Sequence, residues 1–322
     1  MIKPSKEGCL IQHFLYGKER RGMARSLGGN TVTDRHGREL IAHGSVQFPV
    51  ACYENDMSEK TVPWHWHDDW EVIAVEKGAA MFAAGSDRYV IREGQGLFIN
   101  GGVLHGIWDM ENSGCRFISI VYHPRLVGGS ADSIFWQRYV QPILSDAGLR
   151  GICLNGDESW HGAALRHIRT AWLAVADEWE AYELEARDAL SRLLFLILKN
   201  RPVKARGPSR KEQRSAERIK DMLNYIQAHY SEELNVRQIA ESGMVSESEC
   251  LRCFHQVIST TPLQYVRQFR LQKAAEFLEK TDRTVGEVGA ECGFPDTSYF
   301  IKSFRRWKGC TPGEYRRQSR KT

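Results

Sequence analysis

The sequence predicts a multi-domain α and β protein: an N-terminal β-barrel, a helical segment behind it, and an all-α C-terminal region with two helix-turn-helix units. Three observations predict it. Short apolar runs separated by glycines and polar pairs occupy residues 45–122, which is the pattern of closely spaced strands. The period then changes to helical spacing. Finally, the C-terminal part repeats itself at an offset of 50 residues, twice only, too few copies for a solenoid.

Each element follows in chain order. Residues 1–40 are polar and read as a loose tail, with Met23 as an alternative start and no apolar stretch of a secretory signal. Residues 41–124 form the barrel, with runs at Glu71–Val75, Ala79–Ala83, Tyr89–Ile91, Leu97–Ile99 and Arg116–Val121. Residues 125–200 are expected to be helical. Leu165, Ile168, Trp172, Val175 and Trp179 recur at helical spacing, as do Leu190, Leu193, Leu194 and Ile197. This segment is suited to dimerisation, and a homodimer is expected. Residues 201–214, RPVKARGPSRKEQR, read as a linker. Residues 215–322 are helical by pattern.

Composition narrows the function classes. No apolar run approaches the ~20 residues of a membrane span, so no membrane partner is expected and the location is expected to be cytoplasmic. Eight scattered cysteines do not make the dense framework of a small secreted scaffold and are read as reduced. Net charge is +4 but unevenly spread: residues 201–322 carry 23 basic and 15 acidic side chains, against 21 and 25 in the first 200. A basic C-terminal part suits a polyanion.

The repeat supplies the detail. Ser246 maps to Asp296, Cys250 to Phe300, Arg252 to Lys302, Phe254 to Phe304, Thr261-Pro262 to Thr311-Pro312 and Tyr265 to Tyr315. Each copy has a short helix with a small residue (Ala240 or Gly289), a glycine turn (Gly243 or Gly293) and an N-cap (Ser246 or Asp296). Ser246 with Glu249 fits a capping box. A second helix then buries Cys250, Cys253 and Phe254, or Phe300 and Phe304. Its opposite face carries Ser248, Leu251, Arg252 and His255 in one copy, and Thr297, Ser298, Ile301, Lys302 and Arg305 in the other. That face would enter the major groove of double-stranded DNA. Pro262–Lys280 reads as one joining helix of roughly 27 Å at 1.5 Å per residue, close to the ~34 Å between successive major grooves on one DNA face.

These residues resemble the AraC/XylS family of bacterial transcription factors. The resemblance covers Ile219 to Arg317 and includes "RQIAESGMVSESECLRCF", "TPLQYVRQFRLQKAAEFL" and "GAECGFPDTSYFIKSFRRWKGCTPGEYRR". The sequence departs from the family at Gly289, where alanine is usual. The resemblance implies a sequence-specific DNA-binding regulator controlled by a small-molecule effector held in an N-terminal barrel.

The barrel region carries His65-Trp66-His67-Asp68-Asp69-Trp70-Glu71, then Gly78, Gly94, Gly102 and His105. His-x-His on a strand points both rings to one face, Glu71 shares that parity, and His105 arrives from another strand. Three imidazoles and a carboxylate suit Zn, Fe, Mn or Ni. The set resembles the cupin barrel, whose ligand positions would be His65, His67, Glu71 and His105. Three readings stay open. Trp64, His65, His67, Trp70, Glu71 and His105 line an effector pocket, with the tryptophans stacking on a sugar or aromatic molecule. The four cupin positions hold a divalent metal. Or the histidines only pack the barrel. The alternative function is a metal-dependent cupin enzyme, dioxygenase-like, carrying a DNA-binding tail.

Overall fold

The strands of the N-terminal half are β1 (Arg25–Leu27), β2 (Val50–Asp56), β3 (Val62–His65), β4 (Trp70–Lys77), β5 (Ala79–Ala84), β6 (Asp87–Arg92), β7 (Gly96–Ile99), β8 (His105–Asp109), β9 (Arg116–Tyr122) and β10 (Gly151–Leu154). They belong to a computed structural model that describes residues 25–27, 39, 42–57, 62–110, 113–201, 210–258 and 260–319. Most of the expected tail and residues 202–209 of the expected linker lie outside the described residues; residues 210–214 begin a helix.

The strands form two sheets, in the orders β1-β2-β9-β4-β7-β10 and β3-β8-β5-β6. The ladders are antiparallel except β1 on β2. Ile73, Val75, Phe82, Ile91, Leu97, Ile99, Ile107 and Phe117 fill the space between the sheets. β4 reads as a continuous apolar run because both of its faces are covered. Glu71, Ile73 and Val75 share its inward parity, whereas Trp70, Val72 and Ala74 face out onto helices.

Those helices are α3 (His161–Asp177) and α4 (Tyr182–Asn200), preceded by the short α1 (Arg125–Gly128) and α2 (Gln141–Leu144). Leu165, Ile168, Trp172 and Val175 bury one stripe of α3 against the six-stranded sheet, and Trp172 Nε1 donates to the Tyr53 carbonyl at 3.1 Å. Two expectations need correction. The helical period does not reach Trp179, because α3 ends at Asp177 with Glu178 in the left-handed region (φ 46°). The segment 125–200 is not purely helical either: β10 returns to the barrel and pairs with β7.

The C-terminal half contains α5 (Arg210–His229), α6 (Val236–Ser242), α7 (Glu247–Ile258), α8 (Pro262–Lys280), α9 (Val285–Glu291), α10 (Thr297–Lys308) and α11 (Pro312–Ser319). Unit 1 is α6–α7 with α5 behind it; unit 2 is α9–α10 with α11. The joining helix α8 has the expected bounds, and Thr261 closes a capping box with Gln264. Its first half joins the core of unit 1 through Tyr265, Val266 and Phe269, and its second half joins unit 2 through Leu271, Ala274 and Leu278.

The two turn glycines have different reasons. Gly293 sits at φ +78°, and a Cβ there would stand 2.7 Å from the Ser231 carbonyl oxygen. Gly243 has an ordinary φ, and the left-handed residue of that turn is Met244 (φ 51°). Gly243 is required by close approach instead, since a Cβ would lie 2.8 Å from Met222 Cγ on α5. At Gly289, a Cβ would meet the Phe300 ring at 2.8 Å, so the usual alanine does not fit this core without a shift.

Candidate functional site

The buried polar centre of the barrel is built from four short pieces. His65 ends β3 and His105 opens β8, and the two are register partners, with ring centroids 4.1 Å apart. His67 lies beyond β3, before the bend at Asp68-Asp69, and Glu71 is on β4 in the other sheet. His65 and His67 turn to one side as expected, but the shared-strand parity does not extend to Glu71. The bend intervenes, and the two sheets supply the groups from opposite sides. The centre nevertheless unites the four residues: His105 Nε2 is 3.2 Å and His67 Nε2 is 3.9 Å from Glu71 Oε2.

Backbone contacts set the tautomers. Nδ1 of His65, His67 and His105 lies 2.9, 3.0 and 2.8 Å from the carbonyl oxygens of Pro63, Asp69 and Val103. A carbonyl only accepts, so each Nδ1 carries a proton; Nε2 of His65 and of His67 is then left with a lone pair, while Nε2 of His105 faces the Glu71 carboxylate, which favours its protonated form. The three Nε2 atoms lie within 4.8 Å of one another. That of His67 is buried without a hydrogen-bond partner among the described residues, and that of His105 is buried facing the Glu71 carboxylate. Burial lowers the pKa of His65 to about 4 and puts that of His67 well below its ordinary value, so both are neutral bases at pH 7. Burial also opposes charge on His105, but the carboxylate of Glu71 outweighs it and the pKa is raised.

Sequence reasoning missed Glu39 and His43. His43 Nε2 is 3.1 Å and His65 Nε2 is 3.8 Å from Glu39 Oε2, and His43 Nδ1 is hydrogen-bonded to the Tyr53 hydroxyl at 2.8 Å. Glu39, His43 and His67 form a second cluster with ligand spacing, sharing His67 with the first. Glu39 fell in the segment read as tail, and no local pattern ties it to the barrel.

The tryptophans are placed elsewhere. Trp70 points to the helical side of β4, packs on Phe98 and Tyr122, and donates from Nε1 to Asn100 Oδ1 at 2.8 Å. Its parity is opposite to that of Glu71. Trp64 alternates with His65 and lies in the core of unit 1. Neither adjoins the histidine centre, so stacking on a ligand there is not available to them.

Of the residues expected to face DNA, Ser248, Leu251 and His255 are exposed on α7, and so are Thr297, Ser298, Lys302 and Arg305 on α10; Ile301 is half-buried. The N-caps form, with Glu249 N donating to Ser246 Oγ at 3.3 Å and Tyr299 N to Asp296 Oδ1 at 2.7 Å. Arg252 is held by Glu249, Nε to Oε2 at 2.9 Å, and Glu249 also lies 3.7 Å from Arg218. The two faces therefore differ: unit 1 presents a neutralised arginine, whereas unit 2 presents Lys302, Arg305 and Arg306 beside Ser298 and Thr311 in one groove.

Residues 239–318 match the family described as a helix-turn-helix domain, and residues 47–207 match the AraC-like ligand binding domain. The chain belongs to the AraC family of helix-turn-helix transcription regulators. It is 32% identical over 295 residues to the uncharacterized HTH-type transcriptional regulator YdeC of Bacillus subtilis, covering 90% of this chain and 99% of that one. It is 25% identical over 268 residues to the HTH-type transcriptional activator RhaS of Pectobacterium atrosepticum, covering 80% and 88%. The crystallised DNA-binding domain of AdpA, solved with a target DNA, is 28% identical over 32% of this chain and 93% of that one, with a TM-score of 0.31. An AraC-type regulator pairs a ligand-binding domain with a DNA-binding one, so the enzyme alternative is set aside. No helix among the described residues is long and apolar enough to cross a membrane.

Proposed function

We propose that this regulator is governed by a divalent transition-metal cation bound at His65, His67, His105 and Glu71, either as the effector itself or as the anchor for a small-molecule effector. The observation that carries this reading is the convergence of three buried Nε2 atoms on rings whose Nδ1 atoms are fixed by backbone carbonyls, with the Glu71 carboxylate beside them. Such outer contacts are what orient metal-binding imidazoles. The filled apolar interior around Ile73, Phe82 and Phe117 favours a compact occupant over a sugar. An organic effector reading survives through the same atoms, because a hydroxyl or ammonium can donate to them. Elemental analysis of protein purified without a histidine tag separates the two. Stoichiometric Zn, Mn, Fe or Ni supports the cation, and a chain that stays metal-free when offered each of them rejects it.

DNA reading is assigned to Ser248, Leu251, Arg252 and His255 of α7 and to Thr297, Ser298, Ile301, Lys302 and Arg305 of α10. Lys302→Ala is expected to reduce discrimination between a selected duplex and random DNA by about 1–3 kcal/mol. Arg252→Ala is expected to cost less, because Arg252 must first leave Glu249. Equal losses on both DNAs for Lys302→Ala would show a phosphate contact instead.

A homodimer is assigned to α4, whose Leu184 and Phe195 are 69% and 63% exposed. Phe195→Arg is expected to turn a dimer into a monomer in light scattering; an unchanged mass removes α4 from the interface.

A further inference from the structure

We infer that the outward face of β3 and β8 is a docking surface for unit 1, and that it carries the ligand state of the histidine centre to the DNA-binding domain. The second half rests on the cation reading above.

Alternation along one segment is the first observation. His65 and His67 turn into the barrel, and Trp64 and Trp66, which alternate with them, turn out. Trp64 is 5% exposed, packs on Trp108 with centroids 5.2 Å apart, and shares one apolar cluster with Leu104 of the barrel and Ile219, Met222 and Leu223 of α5.

Two cations pin this contact from opposite sides. Lys220 of α5 places its ammonium 4.2 Å from the Trp66 ring centroid and donates to the Gly102 carbonyl. Arg88 of β6 lies over Trp64 at 5.2 Å and donates from Nη2 to the Val257 carbonyl at 2.7 Å. That carbonyl belongs to the last turn of α7, where helix carbonyls lack intrahelical partners. Unit 2 makes no such use of the barrel among the described residues. Its helix α10 ends on its own Gly309 in the left-handed region (φ 78°), and its core closes with residues from α8 onward. Ser259 is the sequence counterpart of Gly309, so unit 1 lacks that glycine and takes a cap from the other domain.

The loop ahead of β8 joins the two sites. Gly102 N donates to the His67 carbonyl at 2.7 Å, Gly102 O accepts from Lys220, and the Val103 carbonyl holds Nδ1 of His105. A cation held by His65, His67 and His105 would fix the positions of those three rings. It thereby sets Trp64, Trp66 and Gly102 on the same backbone.

The test uses the full chain as wild type, as Arg88→Ala and as Lys220→Gln, which open the contact from either side. The ligand probe is Zn²⁺, and the DNA is a duplex selected from a random pool by the wild-type protein. In the wild type, Zn²⁺ should change duplex affinity by a factor in the range of about 5–150-fold that couplings between sites span. In both variants the factor should fall to about twofold or less, Zn²⁺ should still be taken up stoichiometrically, and hydrogen exchange over residues 216–226 should quicken. Unchanged exchange in both variants removes the docking surface. A retained Zn²⁺ response in the variants, or a wild type that binds Zn²⁺ without any response, removes the transmission. A wild type that takes up neither Zn²⁺ nor Mn, Fe or Ni offered in its place overturns the cation reading instead, and the exchange measurement then decides the docking by itself.

Discussion

Phe304→Ala is expected to lower the stability of the C-terminal unit by about 3–5 kcal/mol, the cost of truncating a fully buried phenylalanine. Its ring is inaccessible to solvent and meets Phe300, Trp307 and Tyr315 edge-on, with centroids 5.8, 5.6 and 5.4 Å away. These rings come from α10 and from α11 beyond it, so the cavity would sit where the recognition helix is fastened to its support. In a thermal melt the loss should appear as a shift of about 4–8 °C per kcal/mol for a domain of 60–100 residues. Lys302→Ala is the control on the same helix: its side chain is exposed, and the change should stay within about 0.5 kcal/mol. A Phe304→Ala protein with a wild-type melt would mean that α10 is phased differently and that Lys302 does not face outward.

The helix-turn-helix region was legible because its signals are local. N-caps and apolar spacing mark these helices within a few residues, and a proline at the first turn marks one helix in each copy of the repeat, at Thr261-Pro262 and Thr311-Pro312. The bounds of α8 follow directly. What failed depended on partners far along the chain. β10 is a four-residue strand whose partner β7 lies more than 50 residues earlier, and nothing within GICL separates it from neighbouring loop. Trp64 and Trp70 look like neighbours of the histidines because they are adjacent in sequence. In a strand, adjacency means opposite faces, which sends Trp64 to unit 1 and Trp70 to the helical layer. The donor set at His65, His67, Glu71 and His105 was legible as residue types. Its geometry was not, since His67 precedes a bend, and Glu39 and His43 approach from a segment with no strand pattern.

His67→Ala is expected to abolish stoichiometric metal uptake. His67 is the residue common to both ligand clusters, so neither can be completed without it. Loss of an outer-shell partner alone typically costs about 10–100-fold in metal affinity, and removal of a donor should exceed that. Glu71→Gln keeps the shape but removes the charge that faces His105 at 3.2 Å, and affinity should fall while the fold persists. Acid gives an independent check. Loading requires His105 to surrender the proton that Glu71 favours, so metal binding should release a proton and weaken as pH falls. For the metal-free chain the sign follows from His65. Its folded pKa is near 4 against an ordinary 6.5, so between those values the unfolded state holds more protons than the folded one. Its contribution to stability is then fully present above about pH 6.5 and drains away as pH falls toward 4. Bound cation should raise the melting temperature most near neutral pH and lose that gain as protons displace it, read as a melting temperature that falls more steeply with acid in the loaded protein and converges on that of the metal-free chain. Coincident acid profiles with and without each of Zn, Mn, Fe and Ni in the wild type would overturn the cation reading, and a His67→Ala chain that still carries stoichiometric metal would show that His67 is not a required ligand.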